Sequence, residues 1–253
     1  MATAPYQTSS EVQKKSFVER WFFTGMAVVM IAMVLAAFTP SIVHPAGRRG
    51  PLSVLVAAHG IVFFAWLLIF LVQSRLIATR HVGWHKRLGL ASILIFALMI
   101  PLAYTTTITM VRRGFDLSGD VGVGTRNNPA HEAVFPLFNT MVFSALVVAA
   151  LAYRRKPEIH KRLMLFANIE LMPAPMTHFI GHNSWLVSLP PAVITIPILM
   201  FVIAAIGRDW LVAGRIHPLT WGLAILRIVS GFLEAGLIGP SLAWHQFVGW
   251  LAG

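Results

Sequence analysis

The chain has 253 residues, 57% of them hydrophobic and 11% charged, with no cysteine and a formal charge of +11. A soluble domain carries about 25% charged residues, so this composition, with a mean hydropathy of +0.74, excludes a water-soluble globule and indicates an all-α integral membrane protein. The absence of thiols excludes disulfides, thiolate metal sites and iron–sulfur clusters, and the basic charge reads as membrane-orienting loops, with no nucleic-acid partner implied.

Segment 1–20 is polar, with Lys14, Lys15 and Arg20 set against Glu11 and Glu19. It reads as a cytoplasmic N-terminal segment before a retained helix, because the apolar run that follows is long enough to span a bilayer. Seven spans are predicted in one membrane domain, at 21–39, 52–78, 86–110, 129–153, 161–181, 189–212 and 218–238. Asn128-Pro129 is a start signal for the fourth, a capping residue followed by proline at the first helical position. The Trp-rich tail after Pro240 is expected to lie in the interface or to extend the last helix.

Lys and Arg set the orientation. With seven spans, fourteen basic residues (Lys14, Lys15, Arg20, Arg75, Arg80, Lys86, Arg87, Arg154, Arg155, Lys156, Lys161, Arg162, Arg208, Arg215) fall on one side and five (Arg48, Arg49, Arg112, Arg113, Arg126) on the other. The N-terminus is therefore expected inside and the C-terminus outside, in a bacterial inner membrane.

The tetrapeptide His-Lys-Arg-Leu occurs at 85–88 and again at 160–163, each copy at the start of an apolar run. Upstream of the copies stand His59-Gly60-Ile61-Val62-Phe63 and His131-Glu132-Ala133-Val134-Phe135. The module His-x-x-Val-Phe … His-Lys-Arg-Leu is thus duplicated, predicting two helix hairpins, 52–110 and 129–181, followed by C-terminal helices over 189–253. Two hairpins in the same orientation can be related by a two-fold axis along the membrane normal. That symmetry pairs His59 with His131 near the outer ends and His85 with His160 at the inner ends. Bundle cofactors are held by such side chains on facing helices. Basic residues beside free N–H groups at a helix start also make an anion site, which gives Arg87 and Arg162 the task of steadying a phosphate, a propionate or an acidic substrate.

The stretches RWFFTGMA, AAFTP, AHGIVFFAWLLIFLVQSRLIA, HKRLG, RRKPEIHKRLMLFA and GRIHPLTWG resemble a group of uncharacterised bacterial multipass membrane proteins. The paired histidines are more loosely similar to those of cytochrome b561 proteins, four-helix cores that hold two b haems. That likeness implies an outer haem b on His59 and His131 and an inner one on His85 and His160. It further implies electron transfer with a quinol, a redox partner protein or a larger membrane complex. In that family the ligands lie inside the bilayer, whereas His85 and His160 are followed at once by Lys-Arg, so a single outer haem is the simpler expectation.

Two other readings come from the residues themselves. The fifth span, LMLFANIELMPAPMTHFIGHNSW, carries Asn168, Glu170, two prolines, His178 and His182. With Arg227 and Glu234 of the seventh span, Asn168 and Glu170 form a polar path at mid-membrane, as a small transporter or ligand-binding membrane protein would have. His178 and His182 lie on one helical face, and with His59 and His131 they predict an outer-side copper, zinc or non-haem iron site for an oxidoreductase. Met26, Met30, Met33, Met172 and Met176 read as core-filling residues before soft-metal ligands. No Walker sequence, nucleophile elbow or lysine in the last helix is present, so phosphate-loop, serine-hydrolase and retinal chemistries have no footing.

Overall fold

The computed structural model describes residues 9–44, 52–114, 129–183, 186 and 192–253, and within them every side chain except those of 9–12, 14, 15, 182 and 192–194. The described residues are helical throughout, with no strand. In chain order the helices are α1 (Ser9–Val43), α2 (Val54–Ala78), α3 (Val82–Arg113), α4 (Pro129–Glu132), α5 (Val134–Ala152), α6 (Pro157–Glu170), α7 (Pro173–His182), α8 (Ala192–Ala213), α9 (Pro218–Leu233), a π-helical segment (Glu234–Ile238) and α10 (Leu242–Ala252). Among the described residues, six helical stretches are long and apolar enough to cross a membrane: Ser16–Val43, Val54–Ala78, Val82–Arg113, Pro129–Ala152, Thr195–Ala213 and Pro218–Ile238.

That number is one fewer than the seven predicted above. The fifth expected span is two short helices, α6 and α7, separated at Leu171-Met172. Pro173 supplies no N–H to continue the ladder, and its ring excludes the helical carbonyl behind it. α1, by contrast, starts far earlier than expected, because Lys, Glu, Gln and Arg are good helix formers and carry the helix back through the polar segment to Ser9.

Two tight connections make the hairpins. Thr79-Arg80-His81 turns α2 into α3, with Arg80 in the left-handed region at φ 64°. Tyr153 to Lys156 turns α5 into α6, with Pro157 at the first helical position. α3 runs through Pro101, and the hydroxyls beyond it fold back onto backbone carbonyls. Thr105, Thr106 and Thr107 donate to Pro101, Leu102 and Ala103 at 2.7, 2.6 and 2.7 Å, which keeps these polar groups satisfied inside lipid.

The centre of the molecule lies among α2, α3, α5 and α6. Trp66 meets Phe143 edge-on at 5.4 Å and Phe96 at 6.2 Å, and Phe96 meets Phe143 at 5.8 Å. Trp66 Nε1 donates to Asn168 Oδ1 at 3.1 Å, so one residue from each of the four helices joins this knot. α1 packs along α2, α7 and α8, bringing Met26 and Met30 into the same core as Met172; the methionines fill gaps as their flexibility suits. Apolar side chains on the outside, such as Leu94, Ile225 and Phe232, are exposed as a lipid-facing surface requires.

At one end of the bundle Phe23 of α1 lies under Lys161 of α6 and Arg208 of α8, at 5.9 and 5.6 Å. Arg20 Nε donates to the last carbonyl of α2, Ala78, at 2.6 Å. At the opposite end α10 packs on α3 and α4. Trp244 Nε1 donates to Ala130 O at 2.7 Å, and Arg112 Nε donates to Ala252 O at 2.5 Å. The tail is therefore a separate helix, started by Ser241 Oγ accepting from Trp244 N, and it lies across the ends of α3 and α4.

Candidate functional site

Glu170 ends α6 at the helix break, about 20 Å along the helix from Pro157 at 1.5 Å per residue. Arg227 of α9 reaches it, Nη1 donating to Glu170 Oε2 at 2.6 Å. The same Nη1 lies 3.0 Å from Asn139 Oδ1 of α5 and 4.0 Å from Glu234 Oε1. All four residues are buried, Glu234 completely. Neither Glu234 carboxyl oxygen accepts a hydrogen bond among the described residues. Ser230, one turn earlier, stands beside Glu234 and directs its hydroxyl to the Arg227 carbonyl at 3.1 Å.

Glu234 also opens the π-helical segment, an irregularity that occurs mostly at functional positions. Gly239 closes it, its N–H bonded to Glu234 O at 3.0 Å. A Cβ on Gly239 would stand 2.8 Å from that oxygen and 3.0 Å from His131 Nε2, so only glycine fits there. His245 of α10 donates from Nε2 to the Gly239 carbonyl at 2.9 Å. Of the four residues expected on the polar path, Glu170, Arg227 and Glu234 come together and Asn168 does not. Two positions apart is about 200° around a helix, so Asn168 faces the central knot, where Trp66 and the Met164 carbonyl take both ends of its amide.

A second ionic network sits at the basic end. Arg162 of α6 holds Asp209 of α8 with two donors, Nη2 to Oδ1 at 2.5 Å and Nε to Oδ2 at 3.2 Å. Its Nη1 takes Glu158 Oε2 at 2.7 Å, and Nε also lies 3.1 Å from Thr220 Oγ1. Asp209 further accepts from Arg208, from the His217 backbone N–H and from Thr220 Oγ1. The guanidinium of Arg162 is thus engaged by Asp209, Glu158 and Thr220 within the protein. Arg87 is exposed, lying over Trp84 at 5.3 Å.

The histidines separate into different environments. His85 and His160 meet across the bundle with ring centroids 6.3 Å apart and planes at 86°. His160 Nδ1 donates to Ala150 O at 2.8 Å, and His85 Nδ1 is buried without a partner among the described residues. His59 stacks on Phe63 at 4.1 Å and lies 3.3 Å from Thr106 Oγ1, whereas His131 packs against Gly239 and Phe135. No contact joins these two rings among the described residues. His178 is held by α1, donating from Nδ1 to Ala37 O at 2.9 Å, with Ser41 Oγ 3.3 Å from Nε2. The His182 side chain lies outside the described residues. Among the described residues no group of three or more His, Asp or Glu side chains is placed to share a metal ion.

Asp209, Asn139, Ser230 and Trp66 were not singled out from the sequence. Asp209 had a signal: it is the one acidic residue in the apolar run 189–212, and an intramembrane charge is costly unless partnered. The others are ordinary residues in apolar helices, and nothing short of the packing marks them. Comparison of the chain with family models, with curated proteins and with solved structures finds no match.

Proposed function

We propose that this chain is a bacterial inner-membrane transporter for a small polar solute. In this reading seven spans cross the bilayer, with α6 and α7 together making the broken fifth, the N-terminus inside and the C-terminus outside. The charge asymmetry supports that orientation, because Arg20, Lys161 and Arg208 converge at one end of the bundle around Phe23 and Ala78. The duplicated hairpins supply the bundle, and the polar site lies where the second of them breaks. The carrying observation is the buried trio Glu170–Arg227–Glu234, in which one carboxyl is hydrogen-bonded to the guanidinium at 2.6 Å and the other stands 4.0 Å from it with no hydrogen bond. Transporters place ionisable groups at mid-membrane beside interrupted helices, where freed backbone groups and charges together receive the solute.

The test is uptake by proteoliposomes, screened over small carboxylates, amines and amino acids. Glu170→Gln is expected to abolish flux while the purified protein keeps its helical spectrum. Unchanged flux in this variant would overturn the reading.

A second reading, a membrane electron-transfer protein, is supported by the inner histidines alone. Two imidazoles on opposite faces of one metal, each at about 2.0 Å, leave their centroids roughly 6 Å apart, which the His85–His160 separation matches. The Ala150 carbonyl would fix the His160 ring and leave Nε2 for an iron. His59 and His131, the pair expected first, have different neighbours, Thr106 for one and Gly239 for the other, and no contact joins them among the described residues. A bound b haem would supply one-electron chemistry. The reading predicts a reduced α-band that His85→Ala or His160→Ala removes and His59→Ala leaves; a colourless protein after expression with added haem ends it.

A further inference from the structure

Two carboxyl groups and one guanidinium share the buried space at Glu170, Arg227 and Glu234. Fully ionised, the trio carries one uncompensated negative charge, which the apolar interior disfavours strongly. Arg227 neutralises Glu170 at 2.6 Å, so the excess charge belongs to Glu234, 4.0 Å away with neither oxygen hydrogen-bonded. Glu234 has no exposed surface, so neither a water nor a metal cation reaches it in this conformation. A proton is the one cation that needs no space of its own.

We propose that Glu234 is a proton-binding carboxyl and that its proton is the ion this protein exchanges for its solute, an inference that rests on the transport reading above. The charged and polar groups nearest the Glu234 carboxyl are Arg227 and Ser230 from α9 and Glu170 from α6; Asn139 of α5 holds the same guanidinium, and His131 of α4 and His245 of α10 stand at Gly239, which closes the turn. The two imidazoles stand around Gly239, His131 by close packing and His245 by its bond to the carbonyl, and they mark the side on which the proton enters and leaves. The step is an acid–base exchange with no electron transfer. Glu234 loses H⁺ from its O–H, and a water admitted when the turn moves takes it. The new carboxylate then competes with Glu170 for Arg227. Arg227 thereby has two positions, and the π-helical segment is the element that moves with it. An ionised Glu234 attracts the guanidinium away from the helix break and opens the Glu170 side to solute.

The experiment is infrared spectroscopy of the reconstituted protein at neutral pH, reading the C=O stretch of protonated carboxyl groups with and without deuterium exchange. Wild type is expected to show one such buried band. Glu234→Asp should keep the band and shift its position, Glu170→Asp should leave it where it is, and Glu234→Gln should remove it. The Asp variants keep the question answerable if Glu234→Gln fails to fold. Absence of the band in wild type, or a shift caused by Glu170→Asp and not by Glu234→Asp, would overturn the proposal. The band does not depend on flux. Its presence without any transported solute would leave the proton site standing and remove the transport reading; Glu170-dependent flux without the band would do the reverse.

Discussion

Two arginines in this molecule each face two carboxylates, and the difference between them separates a staple from a working site. Arg162 gives two donors to Asp209 and one to Glu158, while Arg208, Thr220 and the His217 N–H supply Asp209 with the rest. Every carboxylate oxygen there is used, although the buried Arg208 Nε has no partner among the described residues, and the network ties α6, α8 and the start of α9 together at the basic end. Arg227 has the same partners on paper, but it sits at 2.6 Å from one and 4.0 Å from the other, leaving two carboxyl oxygens bare in the interior. Buried polar groups are nearly always satisfied. Carboxylates with every oxygen used are what stability alone would select, and one with both oxygens bare beside a helix break and a π-helical turn is retained for what it does.

Neutralising one acid at each place sharpens this contrast most. Asp209→Asn removes the charge that Arg162 and Arg208 share, leaving buried cations uncompensated, and it is expected to cost about 3–5 kcal/mol. The same change of acid to amide at Glu234 replaces a neutral carboxylic acid with its isostere, and is expected to cost less than about 1 kcal/mol. Thermal unfolding of the two variants in one detergent checks the pair; equal losses would mean that Glu234 is ionised and structural like Asp209. Next in size is Gly239→Ala. Its Cβ would meet the Glu234 carbonyl at 2.8 Å and His131 at 3.0 Å, so backbone or imidazole must shift, at roughly 1–3 kcal/mol. The same scan reads it, and flux should fall with it because the turn that carries Glu234 is displaced.

The helices were legible because membrane spans announce themselves by length and hydropathy, and the hairpins because their histidine motifs repeat. Arg227, Glu170 and Glu234 were legible as a group for a related reason: charges in apolar runs are too costly to be accidental. What the sequence hid is rotation. Lipid offers no polar side against which a helix declares its face, so Asn168 could not be told from Glu170, although one joins Trp66 and the other Arg227. For the same reason symmetry put His59 opposite His131, and packing sent them to Thr106 and Gly239. The second copy also departs from the first where Ala133 separates the short α4 from α5, which reorients His131 toward the π-helical turn. The break at Met172-Pro173 was visible as a proline pair, but its consequence, two half-length helices in place of a span, depended on how far α7 turns to pack on α1.

The smallest effect belongs to the rim of the staple. Glu158 is half exposed, and burial alone would raise its carboxyl. The hydrogen bonds and charges of Lys161 and Arg162 outweigh that and hold it below the ordinary carboxylate range. A carboxyl lowered in the folded state stabilises the fold above its unfolded pKa of about 4.3, and that contribution disappears as the pH falls through the lower folded value. Solvent screening limits the contribution to under about 1 kcal/mol. Glu158→Gln is therefore expected to melt slightly below wild type at neutral pH and together with it once the medium is acidic enough to protonate Glu158. A gap that persists in acid would assign the loss to packing at the start of α6. A gap as large as that of Asp209→Asn would mean that Arg162 depends on its exposed partner as much as on its buried one, and the staple would then extend to the surface.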